Sequence, residues 1–400
     1  MRIAANHSLR GNAMSDRFVI VADENIAAAA DAFGRYGEVR LLSGRAISRD
    51  ALRDVDALIV RSITRVDRDL LEGTPVTFVG TATIGRDHLD EEYLRGRGIS
   101  PVDAAGGAAR SVAEYGVTAA AVLQSRGLFD IASDRAGVIG VGAIGRVVVS
   151  LLRALGAEVV EYDPPRAEQE EEFSGSSIEE ISRCRLLILA VPLTSQGDYP
   201  TVHMIDAPFM DRLAPGTSII NVARGGVIDT PSFAARLAAG RLHGVVDVWE
   251  GEPEIDPDFL AHTEIATPHI AGYSRDGKMR GTEMMSRGLA EFLGRDDVWS
   301  ATDALGMAGT IPIDAERRPE EGLLQGMLAA CPILRDDAAL RSLFNLPAAE
   351  RTAGFDHLRK TYPIRREFPA WRVTTDDPRF ARLGFQMSNV EFQVSNRGDE

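Results

Sequence analysis

Residues 136–163 read AGVIGVGAIGRVVVSLLRALGAEVVEYD, and this stretch decides the fold. An apolar strand leads into the glycine loop Gly140-Val141-Gly142-Ala143-Ile144-Gly145, an amphipathic helix follows over 146–155, and a second strand ends at Asp163. In such a GxGxxG loop the first glycine permits a tight turn, the second lets the backbone approach a pyrophosphate, and the third lets helix and strand pack closely. The free N–H groups at the helix start face the phosphates. The stretch therefore predicts a dinucleotide-binding βαβ unit.

Asp163 stands where a dinucleotide site needs an acid, at the end of the strand that follows the glycine loop. Its carboxylate is expected to accept hydrogen bonds from the adenosine ribose hydroxyls. The same negative charge would repel a 2′-phosphate, so the sequence favours NAD over NADP. The alternative, a glycine-rich turn that binds nothing, leaves the joint presence of strand, helix and acid unexplained.

Apolar strand-like runs alternate with helical stretches on both sides of this unit, which is typical of parallel α/β sheets. Strands are predicted at 18–23, 39–42, 57–60, 76–80, 158–162, 186–191, 218–222, 244–248, 264–266 and 370–374. Helices are predicted at 26–36, 109–126, 277–294, 319–331 and 336–343. Ser111 and Glu114 have the spacing of a capping box at the start of the helix over 109–126.

We interpret the chain as an α/β protein with two doubly wound parallel-sheet domains and a C-terminal α+β domain. Residues 16–104 with 272–299 are predicted to form a flavodoxin-like substrate-binding (lid) domain. Residues 105–271 are predicted to form a Rossmann domain for NAD, and residues 300–400 change character and are predicted to be separate. Residues 1–15 are set aside as a tail or an early start.

Composition excludes several classes of function. The net charge of −15 disfavours nucleic acid and anionic membrane surfaces as partners, because both require clustered basic residues. No apolar run approaches the roughly 18 residues that span a bilayer. Cys184 and Cys331 have no CxxC neighbour, so we expect neither a disulfide framework nor a metal site. With no apolar core of a signal peptide at the start, the sequence favours the cytoplasm.

Three polar residues follow three predicted strands, at the edge where open parallel sheets bind ligands. Arg224 lies between a buried strand and a Gly-Gly turn, Glu252 precedes a proline, and His269 follows Thr267-Pro268. An arginine fork can hold a substrate carboxylate, and a histidine oriented by a carboxylate can take a hydroxyl proton. The three residues together predict hydride transfer from a hydroxy acid, with His269 as the acid/base and Glu252 as its partner.

The structural alternatives are that Arg224 is a solvated loop residue and that Glu250 and Glu252 belong to a solvated acidic loop. For Glu250, this alternative explains the sequence about as well as a functional role. We interpret the remaining six histidines as surface or core residues: His7, His88, His203, His243, His262 and His357. The sequence has no GxSxG motif, so hydrolase chemistry is disfavoured.

Taken together, these segments resemble the D-isomer-specific 2-hydroxyacid dehydrogenase family, whose pattern has an arginine in N-x-x-R-G, a glutamate before proline and a histidine in P-H-I. The resemblance implies a catalytic trio of Arg224, Glu252 and His269. It implies that Arg224 also lines the NAD site, together with Val191, Val222, Ala223, Asp247 and Gly272. It implies substrate contacts by Ser62, Thr83 and Tyr273.

Within that family, three stretches and the tail resemble one group of enzymes, and the resemblance implies a small phosphorylated hydroxy acid as the substrate and a homodimer formed through the C-terminal domain. The stretches are 60–64, 79–85 and 267–273 running on through 276–278, and the tail is FDHLRKTY at 355–362 followed by Arg365-Arg366-Glu367. Arg61 and Arg65 are candidates for nearby positive charge, and solvated loop charges explain them equally well. A dehydrogenase for another phosphorylated acid such as 3-phosphoglycerate, and a non-catalytic NAD sensor, are the alternatives.

One loop departs from the family pattern. Where the pattern has Pro-Gly-Cys-Asn before the linking helix, this chain has Ala105-Gly106-Gly107-Ala108. The asparagine side chain is therefore absent from this position. Backbone N–H groups of the glycine-rich loop offer another way to hold a carboxylate.

Overall fold

The computed structural model describes residues 18–83 and 85–388, and its chain divides into two compact units. The first unit is the described part of Met1–Ala105 together with Lys278–Ala301. The second is Gly106–Gly277 together with the described residues from Thr302 onward. The described residues of the tail, from Thr302 onward, therefore group with the nucleotide-loop unit, and the division into three domains stays a prediction.

The first unit contains a five-stranded parallel sheet in the order β2-β1-β3-β4-β5. Its strands are β1 Val19–Asp23, β2 Glu38–Leu42, β3 Ala57–Val60, β4 Phe78–Thr81 and β5 Val102–Asp103. Its helices are α1 Ala29–Phe33, α2 Arg68–Leu71 and α3 Glu91–Gly96. The strand order is the flavodoxin-like one, as predicted. Strands β1 and β3 are fully buried because helices and loops cover both faces of a parallel sheet.

The second unit contains a six-stranded parallel sheet in the order β11-β10-β9-β8-β6-β7. Its strands are β6 Arg135–Ile139, β7 Glu158–Tyr162, β8 Leu186–Leu189, β9 Thr217–Asn221, β10 Leu242–Val246 and β11 Ile265–Ala266. Its helices before the tail are α4 Ala109–Ser125, α5 Ala143–Ala154, α6 Pro164–Gln169, α7 Ile178–Ile181, α8 Ala207–Arg212, α9 Thr230–Ala238 and α10 Pro257–Ala261. The order reverses at β6, so the ligand crevice is expected at the carboxyl ends of β6 and β8.

The polar helix α11, Arg275–Leu293, begins in the second unit and continues into the first. Then come α12 Ala301–Ala304 and a small parallel sheet, β12-β13-β14. Its strands are β12 Gly309–Pro312, β13 Trp371–Thr374 and β14 Gln386–Met387. The tail helices are α13 Pro319–Ala330, α14 Ile333–Ser342, α15 Ala348–Lys360 and α16 Pro378–Leu383.

The tail shares a hydrophobic core with the six-stranded sheet. Tail residues Met327, Phe368 and Phe380 belong to the same buried cluster as Tyr115 of α4 and Leu152 of α5. A continuous apolar core of this kind is the main favourable term in folding. It explains why the tail does not separate as its own compact unit.

The predicted capping box of α4 is wrong. The helix begins at Ala109 with Ala108 as its N-cap, and no side chain caps it. Ser111 therefore lies inside the first turn, where its hydroxyl is fully buried and donates to the carbonyl of Ala271 at 2.9 Å. Glu114 accepts from Arg110 at 2.7 Å and from the N–H of Phe368 at 2.9 Å. Tertiary contacts use both side chains that local spacing had assigned to capping.

Candidate active site

The glycine loop joins the carboxyl end of β6 to α5 and lies beside the end of β8. Gly140 has a φ of 86°, and a Cβ there would come within 2.7 Å of the Val191 side chain. A Cβ on Gly145 would lie 1.9 Å from the Gly140 carbonyl oxygen. A Cβ on Gly142, the N-cap of α5, would meet nothing within 4 Å. The first and third glycines are thus required by packing, and the second borders open space, which fits a bound pyrophosphate.

Asp163 lies at the end of β7, as expected, and it is tied to the glycine loop. Its Oδ2 accepts the N–H of Val141 at 2.8 Å. Its Oδ1 accepts the N–H of Arg166 at 3.1 Å and so caps α6. The carboxylate is therefore held at the crevice in an orientation set by two backbone donors. The capping role was not predicted from the sequence.

Arg224, Glu252 and His269 all follow strands at one edge of the six-stranded sheet. In the register of β9, β10 and β11, Val246 pairs with both Asn221 and Ala266, so the three strands end level. A Cβ on Gly225 would lie 2.1 Å from the backbone nitrogen of Glu250. The loop that carries Arg224 therefore packs backbone to backbone against the loop that carries Glu252.

The side chain of Asn221 shapes the Arg224 loop. Its Oδ1 accepts the N–H of Ala223 at 3.1 Å, and its Nδ2 donates to the carbonyl of Arg224 at 3.0 Å. Arg224 itself is exposed, with one guanidinium nitrogen on the carbonyl of Ala223 at 2.8 Å. One indication of this role was present in the sequence, because Asn221 places a polar amide at the last position of a buried strand.

The central feature of the site is the bond between His269 Nδ1 and Glu252 Oε1, which measures 2.5 Å. The Glu252 side chain is 24% exposed and that of His269 is 30% exposed. The second carboxylate oxygen of Glu252 accepts the N–H of Trp249 at 3.1 Å. Burial pushes the pKa of Glu252 up, but the hydrogen bond and charge of His269 and the Trp249 N–H together hold that pKa below its ordinary value. Glu252 is thus ionised at neutral pH and orients the imidazole.

The backbone of His269 adopts a left-handed conformation with a φ of 55°. Asp247, which is fully buried, accepts the N–H groups of Ile270 at 2.8 Å and Ala271 at 3.0 Å and the hydroxyl of Thr267 at 2.6 Å. Burial raises the pKa of Asp247, against the opposing effects of the His269 charge and these three donors. Because non-glycine residues rarely adopt a left-handed backbone conformation, the residues around His269 must hold its loop in place.

The other residues assigned to the NAD site lie along the same sheet edge. Val191 follows β8, Val222 and Ala223 follow β9, and Gly272 comes three residues after His269. Asp247 follows β10 directly. Their contact with the nucleotide stays a prediction, although their placement agrees with it.

The residues assigned to the substrate are divided between the two units. Ser62 and Thr83 each come two residues after strands β3 and β4, whose last residues Val60 and Thr81 are paired in register. Thr83 bonds to the hydroxyl of Thr81 at 2.8 Å, and Thr81 bonds to His88 Nε2 at 2.9 Å. His88 thus supports Thr81, the neighbour of Thr83, and its interpretation as a structural residue stands. Tyr273 lies in the second unit and packs edge-on against Tyr362.

Pairing with a carboxylate does not by itself single out His269. His203 Nε2 lies 2.8 Å from Glu250 Oε1, and His243 Nδ1 lies 3.0 Å from Glu264 Oε1. His243 is near the amino end of β10, away from the ligand edge. His203 and Glu250 border the Arg224 loop, since the N–H of His203 donates to Gly226 at 2.8 Å. What distinguishes His269 is its place at the strand end, with its loop held by Asp247.

Among the residues that the structure describes, no group of three or more His, Cys, Asp or Glu side chains is arranged to hold a metal ion. No helix in the described ranges has the length and apolar character needed to cross a membrane. A doubly wound sheet with a glycine loop, an acid at the end of the strand after that loop, and a histidine–glutamate pair at one edge defines a nucleotide-dependent dehydrogenase.

Comparison with known proteins narrows this class. Residues 108–271 match the family described as D-isomer specific 2-hydroxyacid dehydrogenase, NAD binding domain, and residues 311–385 match a domain of unknown function. An erythronate-4-phosphate dehydrogenase of Marinobacter nauticus is 42% identical over 89% of this chain and 94% of its own length. The enzyme of that name from Pseudomonas aeruginosa is 42% identical over 89% of this chain and 95% of its own length.

A solved structure of a 2-hydroxyacid dehydrogenase from Ketogulonicigenium vulgare superimposes with a TM-score of 0.59 at 22% identity, over 72% of this chain and 98% of that one, which shows a shared fold. The chain belongs to the family of erythronate-4-phosphate dehydrogenases, within the D-isomer-specific 2-hydroxyacid dehydrogenases. It is an NAD-dependent enzyme of that class.

Proposed function

We propose that this enzyme oxidises 4-phospho-D-erythronate to 3-hydroxy-2-oxo-4-phosphobutanoate with NAD, in the biosynthesis of vitamin B6. The observation that carries the proposal is the 2.5 Å bond between His269 and Glu252 at the sheet edge where the Arg224 loop also lies. Relatives that carry the name of this activity over about nine-tenths of the chain support the choice of substrate.

His269 is the base in this reaction. Because the Glu252 carboxylate accepts at Nδ1, that nitrogen carries the proton, and Nε2 is left to accept the proton of the C2 hydroxyl. As the proton moves to His269, the C2–H bond breaks and its electron pair leaves with the hydride, so that C2 becomes a carbonyl. NAD, when bound, supplies the acceptor for that hydride.

Arg224 anchors the C1 carboxylate of the substrate. Its guanidinium can make two parallel bonds to a carboxylate, which fixes the orientation of the neighbouring C2. The glycine loop and Asp163 hold the dinucleotide, with Val191, Val222, Ala223, Asp247 and Gly272 beside them. Ser62, Thr83 and Tyr273 contact the rest of the substrate, and backbone N–H groups of residues 105–108 replace the asparagine that the family pattern has there.

We also propose that the enzyme is a homodimer. Its interface is formed by residues 300–400, the third of the three predicted domains. The tail exposes the large apolar side chains of Ile364 and Leu346, which a partner subunit would cover. Light scattering of the purified enzyme tests the dimer, and a mass of one chain contradicts it.

Because Cys184 and Cys331 are both free and buried, the cytoplasm is the proposed compartment.

The activity test is a panel of three acids with NAD, followed by the absorbance of NADH: 4-phosphoerythronate, erythronate and 3-phosphoglycerate. We expect kcat/KM for 4-phosphoerythronate to exceed that for erythronate by about 100-fold, the effect of one or two charge-assisted hydrogen bonds to the phosphate. A preference for 3-phosphoglycerate would assign the enzyme to another phosphorylated acid. Tight NAD binding without turnover of any acid would indicate a sensor.

A further inference from the structure

A charged segment of the tail, Arg365-Arg366-Glu367, packs against the residues that follow His269. Arg365 is 4% exposed and Glu367 is 2% exposed. Charged side chains are almost never buried to this degree unless they are paired. The partners of this segment therefore indicate what it does.

The Arg365 guanidinium binds the backbone just beyond the catalytic histidine. One of its nitrogens donates to the carbonyl of Ala271 at 2.7 Å and to the carbonyl of Ser111 at 2.9 Å. The same nitrogen contacts the Ser111 hydroxyl. Since that hydroxyl also donates to Ala271, the carbonyl two residues after His269 receives two donors from elements distant in sequence.

The opposite side of the same peptides is held from within the sheet. Asp247 accepts the N–H groups of Ile270 and Ala271, and the N–H of His269 donates to the carbonyl of Asp247 at 2.8 Å. The loop after His269 is thus fixed by a carboxylate on its N–H side and by the tail arginine on its carbonyl side. A left-handed φ at His269 requires such restraint from both sides.

The other bonds of this tail segment fix residues 274–276, which come next in the chain. The N–H of Arg275 donates to the carbonyl of Arg365 at 2.9 Å, and the Ser274 hydroxyl donates to Glu367 at 2.8 Å. Arg366 makes two bonds to Asp276, at 2.9 and 3.1 Å. Contacts from three consecutive tail residues therefore reach residues 271 to 276.

We propose that Arg365 is a positioning residue for catalysis, which acts through the Ala271 carbonyl to hold the imidazole of His269 where it can accept the substrate proton. This inference rests on the proposed function of His269 as the base. Arginine suits the task because its guanidinium keeps its charge when buried, whereas a buried lysine ammonium readily loses its proton. The C-terminal tail is then part of the active-site scaffold.

The chain offers a matched control. Arg341 is another tail arginine, and it donates to the carbonyls of Leu260 at 3.0 Å and Thr263 at 2.8 Å. It therefore ties the tail to the same unit through two carbonyl bonds, but at a segment that does not carry the catalytic histidine. Loss of tail docking in general should affect Arg365 and Arg341 variants alike.

The experiment compares Arg365→Gln, Arg365→Lys, Ser111→Ala and Arg341→Gln in the full-length enzyme. We expect Arg365→Gln to lower kcat by about tenfold to 100-fold, with the Kd of NAD within about twofold of wild type. Arg365→Lys should recover part of that loss, and Ser111→Ala should lower kcat by about threefold. Arg341→Gln should leave kcat within about twofold.

Hydrogen–deuterium exchange provides the readout that does not depend on activity. Exchange should rise in the peptide that covers 269–276 for Arg365→Gln and Ser111→Ala, and near 260–263 for Arg341→Gln. Equal kcat in folded Arg365→Gln and Arg341→Gln, or a loss of kcat without faster exchange at 269–276, would overturn the proposal. If Arg365→Gln does not fold, Ser111→Ala decides by the same two measurements. A wild-type enzyme inactive on every acid would refute the proposed function, whereas the exchange result would still judge the positioning of the loop.

Discussion

The replacement Glu252→Gln tests the catalytic pair with a change of a few atoms. In the structure one oxygen of Glu252 faces His269 Nδ1 at 2.5 Å and the other accepts the Trp249 N–H at 3.1 Å. A glutamine can satisfy only one of these donors with its oxygen. If its oxygen faces Trp249, its NH₂ forces Nδ1 to accept, and Nε2 then carries the proton and cannot act as the base. If its oxygen faces His269, the NH₂ opposes the Trp249 N–H.

The size of the effect follows from the bond that is lost. A hydrogen bond to a charged group contributes about 1.5–3 kcal/mol, and each 1.4 kcal/mol corresponds to about tenfold in rate. Because both side chains are partly exposed, solvent screens the charge and favours the lower part of that range. We therefore expect kcat/KM to fall by about tenfold to 100-fold.

The assay is initial-rate oxidation of 4-phosphoerythronate by NAD, with Glu250→Gln as the control. Glu250 lies on the same loop and pairs with His203 at 2.8 Å, so it makes the same type of bond to a different histidine. Glu250→Gln should stay within about twofold of wild type, since its loss removes only an exposed pair. If Glu252→Gln keeps more than half of the wild-type kcat/KM, or if the two variants lose activity equally, the assignment of His269 and Glu252 is refuted.

The same variant has a consequence for stability in acid. The pKa of Glu252 lies below its ordinary value in the folded protein, mainly because His269 outweighs the effect of burial. A carboxyl of this kind stabilises the fold above its unfolded pKa, and the stabilisation disappears as the pH falls through the folded pKa. Below about pH 4, wild type should therefore lose more free energy of unfolding than Glu252→Gln does. The free energy of unfolding is measured by urea denaturation at several pH values. If it falls equally in wild type and Glu252→Gln across this range, the result contradicts the ion pair.

Three further changes test the nucleotide site and the buried tail contact. Gly145→Ala places a Cβ 1.9 Å from the Gly140 oxygen, so the loop must shift and NAD should bind at least about tenfold more weakly by calorimetry, whereas Gly96→Ala, where a Cβ meets nothing within 4 Å, should bind normally. Asp163→Ser keeps a cap for α6 but removes the carboxylate, so NAD affinity should fall about tenfold and the preference over NADP should shrink; an unchanged preference would exclude Asp163 as the ribose acceptor. Burial and the neighbouring Glu367 raise the pKa of Glu114 to about 8, so wild type should lose stability as the pH rises from the unfolded pKa toward 8. Chemical denaturation at several pH values should show that Glu114→Gln lacks this decline, and a decline of equal slope would contradict the raised pKa.

Features that depend on local sequence were predictable. The strand at 57–60 was predicted with both bounds correct, and the strand at 18–23 differs from Val19–Asp23 by one residue. Apolar runs of this length, bounded by polar residues and alternating with helices, permit few structures other than a parallel sheet. The strand predicted at 186–191 ends earlier, at Leu189. The apolar sequence continues into the loop after Leu189, but the pairing with the neighbouring strands does not.

Partners that come from distant parts of the chain were not predictable. Ser111 and Glu114 have the spacing of a capping box, yet they bind Ala271 and the tail, because the helix begins two residues before Ser111. The role of Arg365 likewise depends on the packing of the tail against α4. Spacing along a helix cannot report such contacts, since the competing partner lies more than 150 residues away.

By itself the sequence determined the two doubly wound sheets, the glycine loop with Asp163, and the position of Arg224, Glu252 and His269 after strand ends. These follow from periodicity and from the rule that parallel strands present their carboxyl ends at one edge. Only the tertiary structure decided that Glu252 bonds directly to His269, whereas Glu250 and Glu264 pair with other histidines, and that Asp247 and Arg365 hold the loop of His269. The physical reason is that periodicity places a side chain on its own element, whereas its hydrogen-bond partner is set by the packing of elements far apart in the chain.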